Sequence, residues 1–169
     1  MGSYMPYKNV ETLAAAMHEL PGYSLHLLSR ASEEVRDRLE ALAPAGSLMF
    51  HGGVSDEEYA SLLDSATALV NASRNEGFGI PLVESMSRGT PVIVSDIPVF
   101  REVGADAALY FGADDPSAFA ASVRELEAPG EWAVRSAASR DRAANYSWDA
   151  SAEALLEVLT RVAAARGPS

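Results

Sequence analysis

The residues best able to do chemistry gather in one stretch, Asn75-Glu76-Gly77-Phe78-Gly79-Ile80-Pro81-Leu82-Val83-Glu84. Gly77 and Gly79 let the backbone approach a ligand where a Cβ would collide. Pro81 suits the first turn of a helix, because its φ is preset and its missing N–H is one the helix start cannot pair. The free N–H groups of residues 77–80 and the positive helix end then face one point, which suits an anion and above all a phosphate. Two carboxylates flank that point, Glu76 before the loop and Glu84 on the helix. A carboxylate beside a phosphate is electrostatically awkward, so these two are fitted to neutral hydroxyls, which donate charge-assisted hydrogen bonds to them. Phosphate on backbone and hydroxyls on carboxylates together describe a nucleotide sugar. Taken alone, a two-glycine loop between glutamates is more often an ordinary loop with solvated carboxylates.

The flanking residues predict how this stretch is held. Ala68-Leu69-Val70-Asn71 is a short apolar run of strand character, while Ile80, Val83 and Met86 repeat at helical spacing and Gly89 stands where a left-handed C-cap belongs. The predicted helix covers residues 80–88. Helix and strand patterns alternate along the chain, the signature of a parallel sheet with crossover helices. Asn9 serves as N-cap for a helix striped by Val10, Leu13, Ala14 and Met17. Strands follow at 23–29, 47–50, 91–95 and 108–111. Between them lie a helix after Ser32 with Val35, Leu39 and Leu42 inward, a helix capped by Ser55 or Asp56 with Tyr59, Leu62 and Leu63 inward, and a short helical piece over 100–103. The remainder is helical: Asp115 caps with Pro116 at N1, another helix covers 132–145, and Ala152, Leu155, Leu159 and Val162 stripe the last, with a frayed end from 163. The fold class is α/β, a doubly wound parallel sheet with helices on both faces, in one domain over 1–169. Such sheets bind ligands at the carboxyl ends of their strands. The loops there hold Lys8, Ser29-Arg30, residues 51–56, residues 74–80 and Asp96.

A chain of 169 residues buries about 70% of its unfolded surface and needs no staple. It has no cysteine, which excludes disulfides, thiolate metal sites and thiol nucleophiles. The formal charge of -11 argues against general nucleic-acid binding and against adhesion to anionic lipid. No apolar run reaches the ~20 residues of a membrane span and no signal-peptide pattern is present, so a soluble, cytoplasmic protein is expected. His51 reads as a loop histidine at a strand end, and a metal site lacks partners because His18 and His26 lie on separate elements.

The stretch Glu76-Gly77-Phe78-Gly79-Ile80-Pro81-Leu82-Val83-Glu84 resembles, without a departure, the signature of the group 1 (family 4) retaining glycosyltransferases. Further blocks agree in order: Tyr7-Lys8-Asn9 resembles the phosphate-binding lysine segment, and residues 50–56 the loop beside the nucleotide base. Residues 89–95, 101–108 and 146–148 complete the series. The resemblance implies the GT-B arrangement of two Rossmann-like domains across a cleft. This chain resembles the C-terminal, donor-binding one, opening just after or within its first strand, with the N-terminal acceptor domain absent.

The roles implied are specific. Lys8, the sole lysine, would neutralise the donor diphosphate, and Glu76 would contact the sugar hydroxyls and stabilise an oxocarbenium-like transition state. Glu84 would hold the ribose hydroxyls, with Gly77, Phe78, Gly79 and Ile80 around the donor and Val54 and Asp56 beside the base; Asp56 as a plain helix cap stays open. The family's upstream Gly-Arg pair corresponds here to Gly2-Ser3, so a second cation would come from Arg30 or Arg74 or be dispensed with. No metal and no cofactor are expected beyond a UDP-, GDP- or ADP-sugar as substrate. The expected activity is transfer of a hexose with retention, the isolated domain being inactive alone. The alternatives are a non-catalytic nucleotide-sugar-binding module or another GT-B activity such as a nucleotide-sugar epimerase. A glycosidase pair does not fit, since both carboxylates lie along one donor, and a phosphorylase would need a cofactor lysine that the chain lacks.

Overall fold

The structure, a computed structural model, describes residues 4–165. Gly2 and Ser3, matched above to the Gly-Arg pair, lie outside the described residues, as does the end of the tail at 166–169. All strand pairing is parallel, and the strands fall into two groups. β1 (Leu25–Leu27) pairs with β2 (Leu48–Phe50), while β4 (Val92–Ser95) lies between β3 (Leu69–Asn71) and β5 (Leu109–Phe111).

Helices connect the strands: α1 (Val10–Ala16), α2 (Glu33–Glu40), α3 (Asp56–Ser65), α4 (Ile80–Arg88), α5 (Pro98–Gly104), α6 (Pro116–Glu125), α7 (Glu131–Ala143) and α8 (Trp148–Ala165). Their starts follow local chemistry. The Ser32 and Asp115 side chains accept from N3 backbone N–H groups, and Ser55 with Glu58 forms a reciprocal capping box. Pro98 opens α5 ahead of the expected helical piece at 100–103, since proline is favoured at N1.

β4 explains the layering. Val92 and Val94 face Leu82, Met86, Phe100 and Val103 on one side, and Ile93 faces Leu109, Phe111 and Phe119 on the other. All four β4 residues are buried, as a central parallel strand covered on both faces requires. Truncating fully buried Leu82, Met86 or Phe100 to alanine would cost about 2–5 kcal/mol.

Several sequence expectations are corrected. Asn9 does not cap α1 through its side chain: it is buried with φ 51°, donates to Ala113 O at 2.5 Å, and its Oδ1 accepts from Thr12 and Arg74. Asparagine tolerates this left-handed conformation, and here it ties the turn holding Lys8 to the loop before α6. Leu42 falls beyond α2 and is exposed. The apolar stripe of α8 has no cover among the described residues: Leu155, Leu159 and Val162 are exposed, as is Trp148. Trp132 is partly exposed and donates to Thr67 O at 2.9 Å.

Among the described residues no strand joins β1 to β3. Leu25 N–H donates to Ser47 O, His51 N–H to Leu27 O, and Leu69 N–H to Pro91 O. Alternation along a strand therefore turns the main-chain groups of His26 and Val70 into the gap. A cavity of about 390 Å³ touches Ser24, Leu25, Ala68 and Leu69, and one of about 80 Å³ touches Leu27, Leu28, Asn71 and Ala72. Both cavities run along the facing edges of the two strands, touching His26 and Val70 in common.

Candidate functional site

The glycine loop leaves β3 and enters α4 as the local sequence dictates. Gly79 is the N-cap with φ 93°, Pro81 lies in the first turn, and Gly89 closes the helix with φ 79°. Both positive angles favour glycine. Arg140 on α7 lies against Gly89 and donates to Arg88 O, so the C-terminal glycine also makes room for a guanidinium. At the other end, Leu82 N–H already pairs with Gly79 O.

Lys8 stands in a short 3-10 turn over Pro6–Lys8, before α1. The loop and this turn are stitched together: Arg74 N–H donates to Tyr7 O at 2.8 Å, and the Arg74 guanidinium reaches Pro6 O, Asn9 Oδ1 and Asp114. Arg74 thus ties two segments together, the Pro6–Asn9 turn and the loop at Asp114. Arg30 lies beside the 51–56 loop, its Nε 3.5 Å from Gly52 O.

The result is direct contact between the two residues expected to do the chemistry. Lys8 Nζ donates to Glu76 Oε1 at 2.5 Å, with only 17% and 15% of the side chains exposed. Ser73 Oγ donates to the same oxygen at 2.8 Å. Ser73 is in turn anchored: its N–H donates to Asn71 Oδ1, and its carbonyl accepts from the buried Ser95 hydroxyl at the end of β4. Glu76 is thereby fixed to two strand ends and one turn.

Glu84 lies on the second turn of α4, and its Oε2 accepts from Tyr59 Oη at 3.0 Å. Burial first, and the Glu84 carboxylate second, push the Tyr59 phenol well above the ordinary range. Helical spacing alone gives Tyr59 a place on the inward stripe; the hydroxyl on that apolar stripe is the sequence signal of a polar partner. Gly77 and Phe78 are exposed, and Phe78 packs edge-on against Tyr146 at 5.6 Å. Ile80 is also exposed. Val54 is partly buried in the loop before α3, and Asp56 is the exposed first residue of that helix; Ser55, not Asp56, caps it.

His51, expected to stand as a loop histidine without partners, does meet His26. The register sets His26 opposite Met49, and His51 follows just beyond β2, so His26 Nδ1 lies 3.0 Å from His51 Nε2 with the rings stacked. Burial, then His51, lowers the His26 pKa. Among the described residues no group of three or more metal-ligating side chains forms.

A carboxylate, a cation and a glycine-flanked helix start thus converge at the carboxyl ends of parallel strands. The sequence pattern described as "Glycosyl transferases group 1" matches residues 1–147. The chain belongs to this family. Among its relatives, the serotype-specific mannosyltransferase WbdA of Escherichia coli is 34% identical over 174 residues, covering 98% of this chain and 21% of that protein. The phosphatidyl-myo-inositol mannosyltransferase of Mycolicibacterium smegmatis is 33% identical over 169 residues, covering 95% and 43%. The structure of sucrose-phosphate synthase from Thermosynechococcus elongatus superposes with a TM-score of 0.86 at 25% identity, over 98% of this chain and 45% of that one. This group 1 glycosyltransferase domain therefore has the GT-B Rossmann-like fold, and it spans from about a fifth to under half the length of these proteins. Among its described residues no helix is long and apolar enough to cross a membrane.

Proposed function

We propose that this chain is the donor-binding domain of a retaining hexosyltransferase, and that it holds a UDP-, GDP- or ADP-sugar across the glycine loop. The observation that carries the reading is the Lys8–Glu76 contact: a cation and a hydroxyl acceptor meet just before the glycine loop that leads into α4. In this reading the N–H groups of residues 77–80 cradle the diphosphate and Lys8 takes the charge that grows on it as the glycosidic bond breaks. Glu76, released from Lys8, receives the sugar hydroxyls and faces the oxocarbenium-like carbon. Glu84 accepts the ribose hydroxyls, and the loop from His51 to Asp56, with Val54, borders the base. Both relatives named above are mannosyltransferases by name, which makes mannose the first sugar to test. The acceptor would bind to a second, N-terminal domain, so this chain alone would bind donor without transferring it.

Calorimetric titration of the chain with UDP, GDP and ADP tests the reading. Selective binding of one, weakened at least about tenfold by Lys8→Ala or Glu84→Gln, is the expected result. No binding of any nucleotide, either by this chain or by the chain joined to an acceptor domain, would overturn it.

A further inference from the structure

We propose that Tyr59 is a positioning residue that fixes the Glu84 carboxylate for the donor ribose, and that it gives the domain its discrimination between ribonucleotides and 2′-deoxyribonucleotides. This inference rests on the donor-binding reading and names a residue to which that reading assigns no role.

Glutamate is long and rotamer-rich, so a carboxylate that must meet a diol gains from being held before the ligand arrives. Tyr59 supplies the hold. Its Oη donates to Glu84 Oε2 at 3.0 Å, while among the described residues Oε1 has no hydrogen-bond partner. The donor itself is firmly placed. Tyr59 follows the capping box in which Ser55 N–H donates to Glu58 Oε2 at 2.8 Å and Glu58 N–H to Ser55 Oγ at 3.2 Å. That box begins where the 51–54 loop ends, so the side of the site given to the base and the side given to ribose are joined through one hydroxyl. The raised phenol pKa keeps this hydroxyl a donor throughout the physiological range.

The contact is not needed to hold the two helices together. At the far end of the pair, Arg88 Nε donates to Asp64 Oδ1 at 2.6 Å, and the buried Thr90 hydroxyl donates to Leu63 O at 2.7 Å. These bonds tie α3 to the end of α4 without reaching the site. The Tyr59–Glu84 bond is the one link between the helices that ends on a carboxylate assigned to ligand.

The test titrates the chain with UDP, GDP and ADP, then with the 2′-deoxy counterpart of whichever binds. The unaltered chain should prefer the ribonucleotide about tenfold, the equivalent of one hydrogen bond to a charged group. Tyr59→Phe should reduce that preference to about threefold or less, with the 2′-deoxynucleotide bound as before. Asp64→Asn, which cuts the helix pair at its other end, should leave the preference unchanged; a loss equal to that of Tyr59→Phe would show a merely structural role and overturn the inference. A Tyr59→Phe chain that keeps the full preference overturns the inference alone. An unaltered chain that binds the nucleotide but does not distinguish the two sugars overturns the placement of ribose on Glu84, and this inference with it.

Discussion

Gly77→Ala separates what the loop does for the fold from what it does for a ligand. Gly77 has no positive φ, and a Cβ built on it meets no atom within 4 Å. Alanine therefore fits without strain in the free domain. By restricting the unfolded chain it should stabilise by about 0.4–1 kcal/mol. At about 2–4 °C per kcal/mol for a domain of this size, Tm should rise by roughly 1–4 °C. The same methyl group would stand where an anion approaches the loop amides. Loss of one charge-assisted hydrogen bond costs about 1.5–3 kcal/mol, so nucleoside diphosphate affinity should fall at least about tenfold. Gly79 has the opposite character. Its φ is 93° and its Cβ would lie 3.0 Å from a ring carbon of fully buried Phe100. Left-handed strain alone costs about 1–2 kcal/mol, so Gly79→Ala should lower Tm by roughly 2–8 °C and weaken binding as well. Thermal melts and calorimetry on both variants give four readings. Wild-type affinity in Gly77→Ala would refute backbone cradling of the anion, and a lowered Tm there would refute the loop geometry.

The Lys8–Glu76 pair is largely but not wholly buried, which places its coupling between exposed and buried ion pairs, at about 1–2 kcal/mol. A double-mutant cycle with Lys8→Met and Glu76→Gln should read that value in urea melts. The coupling should shrink under saturating nucleoside diphosphate; a coupling indifferent to ligand would deny Lys8 its phosphate. The His26 pKa is lowered below its ordinary 6.5, so the folded state favours the neutral ring. Stability from this source is full above the ordinary value and is lost as pH falls through it toward the folded value. Tm should accordingly drop between pH 7.5 and 5.5 and drop less in His26→Gln; equal slopes would remove His26 from the effect. The gap between the described strands β1 and β3 should accept a parallel strand, because cavities line the facing edges of both. A six-residue N-terminal extension of valine and isoleucine should raise Tm by roughly 5–10 °C. The same extension interrupted by proline should not, since proline cannot donate into a central ladder; equal Tm values for the two would refute the slot.

What the sequence made legible was local. The glycine loop, Pro81 at the start of α4, Gly89 at its end and the caps at Ser32, Ser55 and Asp115 each depend on residues within a few positions. Parallel alternation and the buried β4 followed from hydrophobic runs. What was misjudged depended on distance in sequence. Asn9 was given a cap's role because nothing nearby shows that Ala113, 104 residues away, would take its amide. His26 and His51 meet only through a register that the strands' apolar residues do not specify. Tyr59 satisfied the helical stripe so well that its hydroxyl went unread. Arg74 has the type and place of a phosphate ligand, and only the convergence of Pro6, Asn9 and Asp114 shows that it is occupied.

That occupancy bears on how the site works. A domain of net charge -11 disfavours an approaching diphosphate at long range, so attraction must come from a few fixed local groups. The candidate groups are already paired. Lys8 waits on Glu76, Glu84 is held by Tyr59, and Arg74 is committed to Asp114. Of these contacts, Lys8–Glu76 alone joins two groups to which the proposal gives separate uses, one for donor phosphate and one for donor sugar. Under the donor-binding proposal, binding is an exchange: phosphate would replace carboxylate on Lys8, and sugar hydroxyls would replace ammonium on Glu76. Because Ser73 still donates to Glu76 Oε1 after Lys8 leaves, the carboxylate stays anchored to the ends of β3 and β4 while its partner changes. Ser73, buried and anchored to Ser95, thus lets the pair open without leaving Glu76 to drift.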